Sequence, residues 1–468
     1  MSDLGKNKKI YKNVCATEMS YEGFGVVKLK DFTIFVENLL IDEVADIELF
    51  WENKKIAFAT VTNYIKKSEL RIEPKSAKLL QSGAAPLCVL SYENQLKFKQ
   101  YTVEKLFKRN LLELKINKII PSPNEYYYRN KISLHVLNEN NKFKFGFFKK
   151  YSHLLIEQEA LFLAHKEINE IFLKFKEIVN NNNDLFTILT NAKFNEITIK
   201  HSNFTNEKQI IMICEKVLYL NTNQKKLIKN ATGINSLILN IRNKHDNFFK
   251  TLIGNEFITY KINDLKFKVA NDSFYQVNEL QTKYMYECVC NLISNDCNNV
   301  IDAFSGVGTI GLFLSTKSKK VTCVEINKFA TKCGIDNAIT NKKINITFVN
   351  DDVTEYLIKN NTNTNDVIVF DPPRSGIDKK VIDNVAQAKI KQVIYISCNP
   401  RTLVRDLILF NEKGYQISFV QPIDMFPQTF HVETVALLSK LDVDKHISVK
   451  IELDELDLTS AESKATYA

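Results

Sequence analysis

The chain has 468 residues, a formal net charge of +9 and an isoelectric point near 8.8, with 45% hydrophobic and 25% charged residues. These values are typical of a soluble globular protein of two or three domains. The basic balance fits a polyanionic partner, although abundant lysine and asparagine can also reflect genome composition. No apolar stretch suits a membrane span or a signal peptide, and the nine cysteines include no C-x-x-C pair. We therefore expect no membrane association, no disulfide framework and no zinc site, with reduced thiols in the cytoplasm.

Short strand candidates alternate with charged and glycine-containing turns over residues 9–66. The candidates are Val26–Leu29, Phe32–Val36, Ala45–Leu49 and Ile56–Asn63. This pattern predicts a small β-barrel, so we assign residues 1–66 to an N-terminal barrel domain. A meander that only packs on the larger body is the alternative.

A helix with a basic face and a mixed region follow. Tyr92–Leu114 has helical periodicity, and its basic residues are Lys97, Lys99, Lys105, Lys108 and Arg109. Contact with RNA and plain solvation explain this face about equally well. Residues 126–260 alternate strand-like runs with asparagine-rich loops, which predicts a separate α+β domain. We assign residues 67–95 and 127–262 to this central domain.

From Phe267 onward, strands alternate with helical segments. The strands are Val300–Phe304, Lys320–Glu325, Ile346–Val349, Asp366–Asp371 and Gln392–Ser397. This alternation predicts an α/β, Rossmann-like domain with a doubly wound, mostly parallel sheet. We assign residues 96–126 and 263–441 to it and leave residues 442–468 as an acidic and polar tail. Ligands gather at the carboxyl ends of such strands, so we expect the functional site there.

A glycine-rich turn, Gly306-x-Gly308-x-x-Gly311, follows the first of these strands. Its glycines let the backbone approach a ligand closely, and Glu325 at the end of the next strand suits ribose hydroxyls. NAD and S-adenosylmethionine fit this turn almost equally, and a turn without a ligand is a third interpretation. Asp352 ends the third strand, where an adenine amino group needs an acceptor. We prefer Asp352 as this acceptor, because Asp351 is equally suited to cap the helix that follows.

The Asp371-Pro372-Pro373-Arg374 turn favours S-adenosylmethionine, since it has no evident use in a dehydrogenase. Its prolines hold the backbone rigid beside a planar group. In amino-methylating enzymes a similar turn ends in an aromatic residue that stacks on the base. Arg374 takes that place here, which argues against amino methylation.

Cys398 follows the fifth strand, in Ser397-Cys398-Asn399-Pro400. Methylation at C5 of uracil needs a thiolate that adds to C6 and later leaves, and a base for the C5 proton. We expect Cys398 to be the nucleophile, with Arg401 or the next helix N-terminus lowering its pKa, and Glu433 to be the base. The alternatives are a buried, inert Cys398, as we expect for the other eight cysteines, and an exposed strand carboxylate at Glu433.

Together these motifs resemble the S-adenosylmethionine-dependent RNA uracil-5-methyltransferase family over nearly the whole chain. The motifs are Phe274-Tyr275-Gln276-Val277-Asn278, Asp302–Gly308, Asp371–Gly376, Ser397–Pro400 and His431–Glu433. Beside the turn glycines Gly306 and Gly308, the resemblance implies cofactor contacts at Gln276, Phe304, Thr309, Glu325 and Asp352. It implies that Asp371 lies between cofactor and base, that Cys398 is the nucleophile and that Glu433 accepts the proton. It also implies that residues 9–66 form a TRAM-like RNA-binding barrel.

One departure concerns the iron–sulfur cluster that many members hold with C-x5-C-G-x-C and a later cysteine. The matching positions here are Ser76, Ser82, Ala85 and Leu161, which supply no thiolate ligands. We therefore predict no cluster and no metal, despite Cys88 nearby.

Aromatic and basic residues interleave in two segments that suit base stacking and phosphate contact. The first segment is residues 126–131. It ends in three polar residues that we expect to contact RNA, Arg129, Asn130 and Lys131. The second, residues 142–150, is equally well explained as a half-buried strand.

The combined interpretation is a cytoplasmic, monomeric enzyme that methylates C5 of a specific uridine in RNA. The barrel and the central domain favour 23S ribosomal RNA over transfer RNA. The alternatives are a catalytically idle RNA-binding protein and a dinucleotide-dependent oxidoreductase. Intact Cys398 and Glu433 count against the first, and the Asp371 turn counts against the second.

Overall fold

The computed structural model describes residues 9–441 except residues 31, 111, 113, 151, 294–296 and 361–366. The tail assigned to residues 442–468 lies outside the described residues. Within them, no helix combines the length and the apolar character needed to cross a bilayer.

The N-terminal β-domain (residues 9–66) contains one six-stranded sheet in the order β1-β5-β6-β4-β3-β2. Its strands are β1 Ile10–Cys15, β2 Glu18–Met19, β3 Gly25–Leu29, β4 Phe32–Glu37, β5 Val44–Glu52 and β6 Ile56–Lys66. Ile34 and Ala57 belong to its main core, whereas the alternating Phe35 and Phe58 belong to a second cluster on the opposite face. Both faces of the sheet are therefore apolar.

Two helices, α1 Ala77–Gln81 and α2 Tyr92–Arg109, follow this domain. Val103, Leu106 and Phe107 of α2 pack in the core of the C-terminal domain. The basic face expected on α2 is wrong for Lys99, which is fully buried and donates to Asp424 Oδ1 at 2.6 Å. Its helix neighbour Lys97 stays exposed and pairs with Glu93.

The central domain is built on a seven-stranded sheet in the order β13-β12-β11-β10-β7-β8-β9. Its elements are β7 Lys131–Glu139, β8 Lys142–Phe148, β9 Leu155–Glu157, α3 Lys166–Asn181, α4 Asn183–Asn191, β10 Phe194–His201, β11 Lys208–Cys214, α5 Thr222–Thr232, β12 Ser236–Arg242 and β13 Asn247–Ile253. Residues 142–148 form the alternating strand β8, in which Phe143 and Phe145 are buried and Lys144 pairs with Glu139.

The C-terminal domain contains a second seven-stranded sheet, in the order β18-β17-β16-β19-β20-β22-β21. Its elements are β14 Phe257–Ile262, β15 Leu265–Ala270, α6 Glu279–Leu292, β16 Asn299–Ala303, α7 Thr309–Leu314, β17 Lys320–Val324, α8 Lys328–Thr340, β18 Ile346–Val349, α9 Val353–Lys359, β19 Val367–Phe370, α10 Lys379–Gln387, β20 Gln392–Ser397, α11 Pro400–Glu412, β21 Tyr415–Ile423 and β22 Glu433–Lys440. Strands β16 to β20 are parallel, and β22 runs antiparallel to both β20 and β21. The α/β, doubly wound, mostly parallel sheet is confirmed.

The packing divides the chain slightly differently from the sequence-based boundaries. Helix α2 and the β14–β15 hairpin both pack on the C-terminal core, but the expected boundaries at residues 95 and 262 fall inside α2 and at the middle of the hairpin. The reason is that an amphipathic helix and a short hairpin take their domain from the surface they cover, which local patterns do not show.

Candidate active site

The carboxyl ends of the five parallel strands meet at one edge of the C-terminal sheet. The residues that follow them are the glycine turn after β16, Glu325 after β17, Asp351 after β18, Asp371 after β19 and Cys398 after β20. The motifs singled out in the sequence therefore converge, as expected for an open α/β sheet.

The glycine turn leaves room for a ligand at one position. Apart from its own chain neighbours, no atom of the described residues lies within 4 Å of a Cβ atom placed on Gly306. A Cβ atom placed on Gly308 would overlap the Phe348 ring. Phe304, just before the turn, has a φ of 62°, which is uncommon for a residue with a side chain. Gly306 therefore faces open space, while Gly308 permits close packing.

Glu325 is held in place by two backbone N–H groups. Its Oε2 accepts from Gly306 N at 2.9 Å, and its Oε1 accepts from Asn327 N at 2.7 Å. A carboxylate oxygen has a second lone pair, so these bonds leave Glu325 able to accept from ligand hydroxyls.

Asp352 is the N-cap of α9. The sequence-based preference for Asp352 as the adenine acceptor left the capping role to Asp351, so that reason is wrong. Asp352 Oδ1 accepts from Thr354 N at 2.8 Å, whereas Asp351 pairs with Lys359 at 3.0 Å. Asp352 nevertheless lines a cleft of about 580 Å³ together with Phe304. It stays near the glycine turn while it caps the helix.

Asn130 holds the segment that carries Gln276. Its side chain donates to Gln276 O at 3.0 Å, and its backbone N donates to Val277 O at 2.8 Å. Asn130 is only 1% exposed. The expected RNA contact at Asn130 is therefore wrong, because burial leaves its side chain to support Gln276. At the start of α7, the Thr309 hydroxyl lies 3.0 Å from the Tyr286 hydroxyl.

Cys398 lies in the turn between β20 and α11 and is partly exposed. Burial, Glu433 and Asp371 raise the pKa of its thiol to about 11, while the nearby cation and hydrogen bond of Arg374 lower it. The expected help from Arg401 is wrong, because its guanidinium pairs with Glu22 at 3.1 Å and Arg374 is the cation that acts on the thiol. Among the other cysteines, Cys15 is exposed, so the buried state expected for all eight does not hold.

Glu433 is the first residue of β22 and is 4% exposed, so it is not an exposed strand carboxylate. Ser397 pairs with Thr434 across the antiparallel strands, and Cys398 and Glu433 are the next residues beyond that pair. Burial, and then repulsion from Asp371, raise the pKa of Glu433 to about 8. Burial raises the pKa of Asp371 to about 7.

His431 is a site residue to which the sequence assigned no role. Arg374 Nη2 lies 3.3 Å from His431 Nε2, and burial together with nearby cations lowers the pKa of His431 to about 3. The neutral ring therefore accepts from Arg374, which in turn hydrogen-bonds Cys398. Its place two residues before Glu433 was the signal that could have identified it.

The family model described as tRNA (uracil-5-)-methyltransferase matches residues 91–441. The chain belongs to this family. An uncharacterized RNA methyltransferase of Lactobacillus johnsonii is 36% identical over 441 residues, covering 91% of this chain and 97% of that protein. An uncharacterized RNA methyltransferase of Enterococcus faecalis is 33% identical over 459 residues, covering 93% of this chain and 99% of that protein. The protein is thus an S-adenosylmethionine-dependent RNA (uracil-C5)-methyltransferase.

The fold also matches a solved structure. The tRNA (uracil-54, C5)-methyltransferase of Pyrococcus abyssi, in complex with S-adenosyl-L-homocysteine, has a TM-score of 0.73 and covers 91% of this chain and 99% of its own. At 23% identity this likeness establishes the fold.

Arg129 and Lys131, which were also expected to contact RNA, are both partly buried, and they lie in different places. Arg129 stacks 5.9 Å from the Phe426 ring and contributes to the low pKa of His431, so it lies near the methyltransferase site. Lys131 starts β7 in the central domain, where burial lowers its pKa.

Two of the four positions that match the iron–sulfur cysteines, Ala85 and Leu161, are packed among apolar side chains. Ala85 belongs to a small cluster with Cys88 and Leu163, and Leu161 lies in the central core. Among the described residues, no group of three or more histidine, cysteine or acidic side chains could hold a metal. The absence of a cluster stays a prediction.

Proposed function

We propose that this enzyme methylates one uridine of 23S ribosomal RNA through a covalent bond between Cys398 Sγ and C6 of the uracil ring. The observation that supports this most is the meeting of Cys398 with the buried carboxyl group of Glu433 and the partly buried one of Asp371 at the end of one sheet. A thiol beside two carboxylates with raised pKa values suits nucleophilic addition followed by proton removal.

Cys398 and Glu433 carry complementary halves of the reaction. The Cys398 thiolate forms a bond to C6, and the C5=C6 electrons move toward C4–O4, which makes C5 nucleophilic. S-adenosylmethionine, when bound, supplies the electrophilic methyl group. Glu433 then takes the C5 proton as a carboxylate, the C5=C6 bond forms again, and Cys398 leaves as a thiolate. A base pKa near neutrality favours this last proton transfer.

The residues at the strand ends fit S-adenosylmethionine. The open space at Gly306 and the fixed carboxylate of Glu325 suit a ligand backbone and its ribose hydroxyls. We assign the cofactor contacts to Gln276, Phe304, Gly306, Gly308, Thr309, Glu325, Asp352 and Asp371. We place Asp371, which two prolines follow, between that site and Glu433, whose pKa it raises.

The net charge of +9 and the two domains beside the methyltransferase domain support a large, structured RNA substrate. Arg129, near His431, is the residue that we assign to RNA contact at the site. A tRNA uridine is the second candidate, favoured by the likeness of the fold to the Pyrococcus abyssi tRNA (uracil-54, C5)-methyltransferase. We place the enzyme in the cytoplasm, where its cysteines stay reduced.

The test is methylation of RNA from cells that lack this protein, with labelled S-adenosylmethionine and separated ribosomal and transfer RNA. We expect the label in 5-methyluridine at one position of 23S ribosomal RNA, and no label with Cys398→Ala. Label confined to transfer RNA selects the second candidate. Label in neither fraction contradicts both.

A further inference from the structure

The N-terminal β-domain reaches the methyltransferase site through residues 20–24, between β2 and β3. Glu22 in this loop is 7% exposed, and its Oε1 lies 3.1 Å from Nη1 of Arg401. The Tyr21 ring lies 5.1 Å from the same guanidinium. Arg401 is the second residue of α11, so the loop touches the helix that begins just after Cys398.

A second row of contacts joins the same loop to Cys398. The Tyr21 ring meets Phe430 edge-on at 5.6 Å, and Phe430 lies 4.2 Å from His431. His431 accepts from Arg374, which hydrogen-bonds Cys398. Tyr21 therefore contacts both Arg401, on the helix after Cys398, and Phe430, beside His431.

The catalytic turn, residues 397–400, also has hydrogen bonds of its own. The Ser397 hydroxyl donates to Asn399 O at 3.0 Å and accepts from Asn399 N at 3.1 Å, and the Thr402 hydroxyl donates to Asn399 O at 3.1 Å. Asn399 caps α11 through Arg401 N at 3.2 Å and donates to Arg374 O at 3.3 Å. The Arg401 side chain pairs with Glu22 of the N-terminal β-domain. A largely buried ion pair loses much of its stability when one partner is removed, because the other charge is left uncompensated.

We propose that Glu22 is a positioning residue for methyl transfer, which fixes Arg401 and thereby holds the first turn of α11 and Cys398 in register with the target base. The N-terminal β-domain then completes the catalytic site. This inference rests on the proposed function of Cys398. A domain that served only to bind RNA would have no need of a carboxylate buried against the catalytic helix.

The two roles predict opposite effects for Glu22→Gln. In an RNA-binding role, loss of a negative charge leaves RNA affinity unchanged or raises it, and the chemical step keeps its rate. In a positioning role, the chemical step slows by about tenfold or more at saturating RNA, because small misplacements of a nucleophile are costly. The readout is the rate of the denaturation-resistant adduct with 5-fluorouridine RNA and S-adenosylmethionine, alongside the dissociation constant of the RNA.

Three further variants make the result specific. Glu22→Asp keeps the charge and should recover part of the rate. Glu52→Gln removes the same charge from an exposed pair with Lys9 in the same domain and should keep the wild-type rate. If Glu22→Gln does not fold, Arg401→Lys carries the same test, because a lysine cannot reproduce the guanidinium fork.

The proposal is supported by slower adduct formation with unchanged or tighter RNA binding. A wild-type rate in Glu22→Gln, a loss confined to RNA affinity, or an equal loss in Glu52→Gln overturns it. If the wild type itself forms no adduct, the proposed function of Cys398 fails instead.

Discussion

Cys398 and Glu433 lie side by side because β22 is inserted antiparallel against β20. Ser397 pairs with Thr434, and the two residues beyond this pair are Cys398 and Glu433. Each of them carries a raised pKa, about 11 for the thiol and about 8 for the carboxyl, and Glu433 contributes to the rise at Cys398. Both groups are therefore mostly protonated near neutral pH. Cys398 must lose its proton to form the thiolate that adds to C6, and Glu433 must lose its proton before it can take the C5 proton as a carboxylate.

Replacing Glu433 should block the end of the reaction and spare its beginning. In Glu433→Gln we expect methylated RNA to stay bound to Cys398, with release slowed by about a hundredfold or more, because the C5 proton has no base. Single-turnover assays with gel separation of covalent and free RNA measure this. Glu355→Gln, which changes an exposed carboxylate of α9, is the control and should release RNA normally. Normal release from Glu433→Gln would show that another group is the base.

Arg374 should govern the reactivity of the Cys398 thiol. Its cation lowers the thiol pKa, so Arg374→Ala should raise that pKa and slow alkylation of Cys398 by iodoacetamide at pH 8. In the wild type, the rate should climb with pH up to about 11, because only the thiolate reacts. Mass spectrometry of the modified peptides gives both rates, with exposed Cys15 as the internal reference. An unchanged or faster Cys398 rate in Arg374→Ala would contradict this role.

Lys99 and Lys97, on the same helix, should differ sharply in their effect on stability. Lys99 is fully buried with Asp424, so Lys99→Met leaves an uncompensated carboxylate and should cost about 3–5 kcal/mol. Lys97→Met, at an exposed helix pair with Glu93, should cause no measurable change. Thermal unfolding of the two variants beside the wild type measures the difference. Equal melting temperatures for both variants would rule out the structural role of Lys99.

Iron and sulfide analysis tests the prediction that this protein holds no iron–sulfur cluster. Protein purified without oxygen should contain far less than one cluster per chain, because Ser76, Ser82, Ala85 and Leu161 stand at the ligand positions. Cys88→Ser should leave the iron content unchanged, since Cys88 is packed in an apolar cluster. A stoichiometric cluster in the wild type would refute the prediction.

The parallel sheet and the glycine turn could be predicted because each is specified by local patterns. Runs of apolar residues mark β16 to β20, and the order of strand, turn and helix places Gly306 and Glu325 at strand ends. Parallel strands then bring these ends to one edge without any further information.

The sequence could not show contacts that depend on distant elements. Lys99 is buried against Asp424, which lies 325 residues away in the sequence, and Arg401 pairs with Glu22 of the N-terminal β-domain. Asn130 looked like an RNA contact from its basic neighbours, but it is buried beneath the Gln276 segment. Charge patterns alone do not distinguish a solvated face from a buried pair.

The most direct test of the account is to identify the residue that joins RNA. The enzyme is incubated with 5-fluorouridine RNA and S-adenosylmethionine, denatured and digested, and the peptide that carries the nucleotide is sequenced by mass spectrometry. The fluorine cannot be removed as a proton, so the adduct should accumulate on the peptide that contains Cys398, persist in Cys15→Ala and vanish in Cys398→Ala. A nucleotide attached to any other residue, or an adduct that survives Cys398→Ala, would contradict the account.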